Sequence, residues 1–339
     1  MRATTLAALI VAMGCSSGDG PATATADSGT TDTSAADSVS APDTSAIDTM
    51  PRPSACPRKS RNVTIPSACN GSPALCDRRF DQVTFPMTHN AMSNADDTWT
   101  SPNQQNGIAK QLQDGVRGMM LDTYYFTATS GTSKTRIAGV ELNEQAHFCH
   151  VLCELGKRKM LDGLCDIVDF LDRNRGEIFS IIFESNVSDA DTAKLIEDSG
   201  LSDYVFTYKG GTWPTLKEMI AKDTRLVLFT ESGGGTPAWY HPAWSVVWDT
   251  PYVFPSASSF SCALNRGAKT NSLFLVNHWL NDAASGDRAA RAAVVNTKDV
   301  LGSRVQTCTT EAGRVPTFVG VDYHNVGALF DVVRTANKL

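Results

Sequence analysis

The chain has no cluster of basic residues and no stripe in which basic and aromatic residues alternate. With 30 Lys and Arg against 36 Asp and Glu it carries a net charge of −6. That balance sets nucleic acid aside as a partner. It also has no glycine-rich strand-to-helix loop of the dinucleotide or P-loop kind, which counts against an open doubly wound nucleotide-binding sheet. There is no internal repeat and no linker after the first fifty or so residues. The one apolar run near the N-terminus, Leu6 to Met13, is too short to span a bilayer as a mature helix.

That run follows Arg2 and reads as the h-region of a signal peptide, residues 1–14. It ends Val11-Ala12-Met13-Gly14-Cys15, which resembles a bacterial lipobox. We therefore expect an exported lipoprotein, acylated at Cys15 and anchored to the cell envelope; a plain secretory signal is the alternative. Residues 15–54 are nearly all Ser, Thr, Ala, Asp, Gly and Pro, with Val39 and Ile47 the only large aliphatic residues from Ser16 to Asp48. Such a segment buries too little apolar surface to offset chain entropy and reads as a disordered, acidic tether. Residues 55–339 remain for one compact domain, expected to be monomeric.

Nine cysteines suit an oxidising compartment. Setting Cys15 aside leaves Cys56, Cys69, Cys76, Cys149, Cys153, Cys165, Cys262 and Cys308, enough for four disulfides whose pairing the spacing leaves open. Cys149, Cys153, His147 and His150 also raise a zinc site, although their spacing is not that of a finger.

Short apolar runs alternate with helical patterns from Asp81 onward. Strands are expected at Asp81–Met87, Gly118–Leu121, Ala146–Cys149, Glu177–Phe183, Arg225–Phe229, Val246–Trp248, Ser272–Val276 and Thr317–Val321. Helices are expected within Asn103–Asp114, stopped by Gly115, at Met160–Asn174, after the N-cap Ser188 as far as Gly200, at Leu216–Ala221 and at Leu329–Ala336. About eight strands alternating with helices argue for a single distorted TIM-type (β/α)8 barrel, an α/β fold. Polar residues recur where these strands stop: His89 and Asn90, Asp122, His150, Glu184, Glu231, Asn277-His278 and Asp322. Polar groups just past the C-terminal ends of barrel strands are where such enzymes do chemistry.

Thr88-His89-Asn90, Gly115-Val116-Arg117 with Asp122, Cys149-His150, Glu177 to Glu184, and Phe318-Val319-Gly320-Val321-Asp322-Tyr323 follow one another in a telling order. The chain from about Phe80 to Leu339 resembles the phosphatidylinositol-specific phospholipase C X-domain family, in its secreted bacterial or fungal form. The resemblance implies a distorted barrel that cleaves a phosphodiester of a phospholipid or a soluble substrate. In that reading His89 is the general base, His150 the general acid, and Asp322 orients His89. His147, three residues before His150, is a competitor for its role.

Two departures bear on the phosphate. The calcium-independent members carry an Arg where this chain has Tyr124. The calcium-dependent members use an Asn, two acids on the second strand and a later Glu; here Asn90, Asp122 and Glu184 are present, and Met120 replaces the remaining acid. The resemblance therefore implies Ca²⁺ held by Asn90, Asp122 and Glu184, oxygen ligands of the kind that ion takes. Asp122 paired with Arg117, and Glu184 capping the next turn, are the structural alternatives. Trp239, Tyr240, Trp244 and Trp248 are candidates for the pocket rim or for packing. A glycerophosphodiester phosphodiesterase is a second enzymatic reading, against which Met120 counts. A surface-binding barrel without turnover is the third.

Overall fold

Every apolar run that alternates with a helix becomes part of one sheet. The computed structural model describes residues 54–58, 60–281 and 287–339. The signal sequence, Cys15 and nearly all of the tether lie outside the described residues. Eight parallel strands run β1 (Phe85–Thr88), β2 (Gly118–Thr127), β3 (Phe179–Ser185), β4 (Leu226–Thr230), β5 (Tyr240–Pro242), β6 (Val247–Asp249), β7 (Leu273–His278) and β8 (Phe318–Val321). Their order is β5-β4-β3-β2-β1-β8-β7-β6, a curled sheet of TIM type.

The circle stays open between β5 and β6, and the chain explains why. Only Ala243–Val246, one helical turn, separates them. A parallel pair needs a crossover of a dozen or more residues, so these two strands cannot pair with each other. The barrel is distorted at that seam.

Residues alternate across the sheet. Met120 and Ile182 join the inner cluster with Phe85, Met87, Phe229, Leu275 and Phe318. Met119, Leu121, Ile181 and Phe183 face the outer layer, where Leu164, Ile167, Val168 and Leu171 of the helix Met160–Arg173 cover them. Burial on both faces is why these strands read as continuous apolar runs. The helix stops fall where glycine predicts: Gly115 and Gly200 both take positive φ, +108° and +84°, a conformation that costs glycine little. Ser188 caps the helix Asp189–Ser199 by accepting from Asp191 N–H.

Several expected elements are corrected. The strand expected to end at Leu121 runs on to Thr127, so Asp122 sits within β2. Ala146–Phe148 is not a barrel strand; it pairs antiparallel with β2 and extends that strand into a flap. Its place in the barrel is taken by Tyr240–Pro242, three residues including a proline, too short for a pattern to show. The helices Arg288–Val295 and Lys298–Ala312 were also not expected.

The eight cysteines pair as Cys56–Cys165, Cys69–Cys76, Cys149–Cys153 and Cys262–Cys308. The third disulfide removes the two thiolates a zinc site would need. Among the described residues no helix is long and apolar enough to cross a membrane.

Candidate active site

His89 and Asp322 stand at opposite ends of the domain sequence, and strand register brings them together. β1 and β8 pair in parallel, with Thr88 opposite Val321 on the last rung. The next residue of each strand is therefore a neighbour of the other. His89 N–H donates to the Val321 carbonyl at 3.0 Å, and His89 Nδ1 lies 2.8 Å from Asp322 Oδ1. Asn103 also donates to Asp322 Oδ1, at 3.1 Å. The Trp279 ring lies flat on His89, 3.7 Å between centroids and 3° from parallel. The carboxylate fixes the hydrogen on Nδ1, which leaves Nε2 as the basic nitrogen. Backbone strain surrounds the pair, because Asn90 and Tyr323 both have left-handed φ, +44° and +48°. Asn tolerates that region, and Tyr does so only when its surroundings enforce it.

The two nearby histidines separate clearly. His147 is buried, bonded through Nδ1 to the Gln145 carbonyl at 3.0 Å, and edge-on to Phe126. His150 lies past the flap strand, close enough to feel His89. Burial drives its imidazole down to about 4, and the nearby charges of His89 and Arg288 push the same way while Asp322 opposes them. In the free protein His150 is therefore neutral at pH 7.

Asp122 and Glu184 are cross-strand partners in the β2–β3 register. Side chains alternate along a strand, so Met120 and Asp122 share a face with Ile182 and Glu184. All four line a cavity of about 100 Å³ together with His89, Asn90, Glu231, Tyr252, Arg266, Asn277 and Trp279. Neither structural alternative holds for the two acids. Arg117 pairs with Glu177 at 2.6 Å, and Ser188 caps the helix after β3. Asp122 is 3 % exposed, and its carboxylate has no hydrogen-bond partner among the described residues. Burial, then the charges of Glu184 and Glu231, raise it well above the usual carboxylate range.

Glu231 is a third carboxylate in the cavity, past the end of β4. Burial raises it to about 7, against the pull of Arg266. Asp122 is buried without a donor among the described residues, Glu184 beside it is exposed to the cavity, and Glu231 accepts from Arg266; their oxygens, with that of Asn90, are of the kind a hard cation takes. Among the described residues no three acidic, His or Cys side chains close on a ready-made metal cluster. The donor chemistry fits calcium, and the ligand geometry is left to the bound state.

Arg266 and Arg288 had no signal in the sequence, because both come from segments without a strand-end pattern. Arg266 bonds both Glu231, at 2.8 Å, and Asp249, at 2.6 Å, with the Trp244 ring 3.8 Å from its guanidinium carbon. Arg288, first residue of its helix, places Nη1 4.0 Å from Asp322 Oδ2. Trp279 could have been found, since it directly follows the strand end Asn277-His278. Asn277 does line the cavity, donating to Asp249 at 3.0 Å. His278 does not: it is fully buried against the Val295 carbonyl and Arg304. Trp248 packs on Phe274 and Tyr240 is buried behind β3, so neither rims the pocket.

Residues 75–337 match the family model described as PI-PLC X 1. A PI-PLC X domain-containing protein 1 of Arthroderma benhamiae is 27% identical over 298 residues, covering 80% of this chain and 90% of that protein. A PI-PLC X domain-containing protein of Arabidopsis thaliana is 28% identical over 303 residues; the match takes in 80% of this chain but only 64% of the plant protein. An uncharacterized secreted protein of A. benhamiae is 26% identical with the same coverage, so the chain spans about two thirds of the length of both. Among solved structures, the phosphatidylinositol-specific phospholipase C of S. aureus superposes with a TM-score of 0.52 at 13% identity, over 78% of this chain and 95% of that one. That likeness is one of fold.

Proposed function

Because the chain belongs to the PI-PLC X domain family, we propose that it is a phosphoric diester hydrolase of phospholipase C type, acting on a phosphoinositide or a related lipid head group. The observation that carries this reading is the His89–Asp322 pair at 2.8 Å with His150 close by. His89 Nε2 takes the proton from the attacking substrate hydroxyl, and Asp322 stabilises the imidazolium that forms. His150 delivers a proton to the departing alkoxide. It is neutral in the free protein, and the negative charge of a bound phosphodiester beside it favours the protonated form that this step needs.

Charge on the phosphate oxygens needs a counter-charge. Arg288, beside both His150 and Asp322, is the cation we assign to it, in place of the arginine that Tyr124 replaces. Asn90, Asp122 and Glu184, with Glu231, are the residues that would hold calcium, whose positive charge would bear on the same oxygens when bound. The cavity acids make a test independent of turnover. Protons compete with a cation for Glu231, which is held at about 7, and for Asp122. Added Ca²⁺ should therefore raise the melting temperature by several degrees at a hundredfold excess over Kd, about 2.7 kcal/mol of linkage. The shift should be larger at pH 8 than at pH 6 and should vanish in Asp122→Asn. An equal melting temperature with Ca²⁺ and with chelator removes the metal from the site.

We extend the domain reading in the same way: a signal sequence, a tether from Cys15, and the catalytic barrel from residue 55. Four disulfides fit folding in an oxidising compartment. Release of a soluble head group from phosphatidylinositol, compared with release from glycerophosphoinositol, separates this activity from a glycerophosphodiesterase. Arg288→Ala is expected to cut the phospholipid rate roughly a hundredfold, with Arg288→Lys in between. Unchanged turnover in Arg288→Ala would return the phosphate to other groups.

A further inference from the structure

One buried dipeptide, Asn103-Gln104, takes up the backbone groups around His89 and Asp322. The ladder between β1 and β8 ends at the rung Thr88–Val321, so polar groups at and beyond it need other partners. Gln104 supplies them. Its Nε2 donates to the His89 carbonyl at 2.8 Å and to the Val321 carbonyl at 3.0 Å, which uses both hydrogens of the amide. Its Oε1 accepts from His324 N–H at 3.1 Å. Asn103 holds the residues between. Its carbonyl accepts from Tyr323 N–H at 2.8 Å, and its Nδ2 donates to the Asp322 carboxylate at 3.1 Å. Both side chains are fully buried. The dipeptide is itself fixed, because the N–H groups of Asn103 and Gln104 both donate to the Ser93 carbonyl at 2.9 Å.

These bonds go to the tips of two strands that carry the acid/base pair. Asn337 offers a contrast. It is a buried amide at the other end of β1, where it donates to the Thr84 carbonyl at 2.8 Å and accepts from Thr84 N–H at 2.9 Å. Asn337 closes the barrel, whereas Asn103 and Gln104 decide where a ring and a carboxylate stand. His89 Nδ1 and Asp322 Oδ1 meet at 2.8 Å only while both tips keep their places. The left-handed φ of Tyr323, +48°, persists only where neighbours enforce it, and the dipeptide bonds Tyr323 and the residues on both sides of it. Neither Asn103 nor Gln104 lines the cavity. We propose that Asn103 and Gln104 are positioning residues that act through His89 and Asp322, clamping imidazole and carboxylate in the geometry proton transfer needs. The kinetic side of this inference rests on the hydrolase reading; the clamp itself does not.

The test uses the full chain and a soluble short-chain phosphoinositide, with steady-state rates and a melting curve for each variant. Gln104→Met keeps the length of the side chain and removes its donors. It should lower kcat roughly ten- to a hundredfold, the cost of moving a catalytic group by up to about an ångström, with KM nearly unchanged. Asn103→Ala should behave alike. Asn337→Leu, which strips a buried amide from the far end of β1, should lower the melting temperature and leave kcat as it is. A second readout needs no turnover. The proton on His89 Nδ1, bonded to Asp322, should give a downfield proton NMR signal that His89→Ala lacks. That signal should shift, or be lost to exchange, in Gln104→Met and Asn103→Ala and stay in place in Asn337→Leu. An unmoved signal with unchanged kcat in Gln104→Met and Asn103→Ala overturns the proposal. So do losses of the same size in Asn337→Leu, which would make the role one of stability alone. A wild type that cleaves no phosphodiester, yet whose signal depends on Gln104, defeats the hydrolase reading and leaves the clamp standing. Equal cleavage by wild type and clamp variants does the reverse.

Discussion

His89→Ala is expected to lower phosphatidylinositol cleavage by about 10²–10⁴-fold, the span that a positioned general base contributes. The loss should appear in kcat more than in KM, because the imidazole acts on the nucleophile's proton and not on the resting head group. It should be equally deep for a lipid and for an activated aryl ester of the same head group, since both need the hydroxyl deprotonated. Asp322 acts through His89, so Asp322→Asn should follow the same pattern with a smaller loss. Folding should survive, because His89 is partly exposed at the cavity wall and, among the described residues, its ring bonds Asp322 and stacks on Trp279. Steady-state rates on the two substrates, with a melting curve for each variant, decide the matter.

His150→Ala should behave differently. On the lipid, whose alkoxide leaves only with a proton, the expected loss is again about 10²–10⁴-fold. On a nitrophenyl ester, whose phenolate leaves unaided, the loss should stay within about tenfold. The pH profile gives a second signature. kcat/KM reports the free enzyme, where His150 ionises at about 4, so that ionisation should be missing from the variant's profile. The sign is that of a depressed base: His150 holds its proton only below about pH 4 until a phosphate arrives. Equal losses on the two substrates would make His150 a binding group and leave the leaving oxygen to another donor.

The pairing of His89 with Asp322 is implied by the family resemblance, and the residues themselves show only that both follow apolar strand runs. His89 and Asp322 each end an apolar run, and adjacent parallel strands at one register make neighbours of such residues. Choosing between His147 and His150 was beyond the sequence. They sit three residues apart, His147 on the flap strand and His150 just past it, and only the antiparallel register, His147 opposite Tyr124, turns one into the core. Asp122 was expected past a strand end and lies inside β2 instead. Hydrogen bonding to β3 continues through Asp122 and Thr123 because the sheet tolerates polar residues where it opens toward the cavity. The strand expected at Glu177–Phe183 is displaced to Phe179–Ser185 for a related reason: Glu177 turns away to Arg117, and Glu184 stays in the ladder.

The arginines were illegible. Arg266 reaches Glu231 and Asp249 from a loop, and Arg288 reaches Asp322 from the start of an unexpected helix. No local pattern marks a cation whose partners are 17 to 35 residues away in the chain. The open seam between β5 and β6 is similar, since it follows from a connection of one helical turn and a strand of three residues. Composition did define the outer frame. Eight cysteines became four disulfides, although which cysteine meets which was set by the fold.

The central claim is that His89 and His150 cleave a phosphodiester of a phosphoinositide. Phosphorus NMR of the water-soluble products released from phosphatidylinositol tests it most directly, with Ca²⁺ and with chelator, for wild type and His89→Ala. The account predicts a phosphorylated inositol head group from the wild type and about 10²–10⁴-fold slower release from the variant. No release by the wild type under either condition, or equal release by the variant, would contradict it.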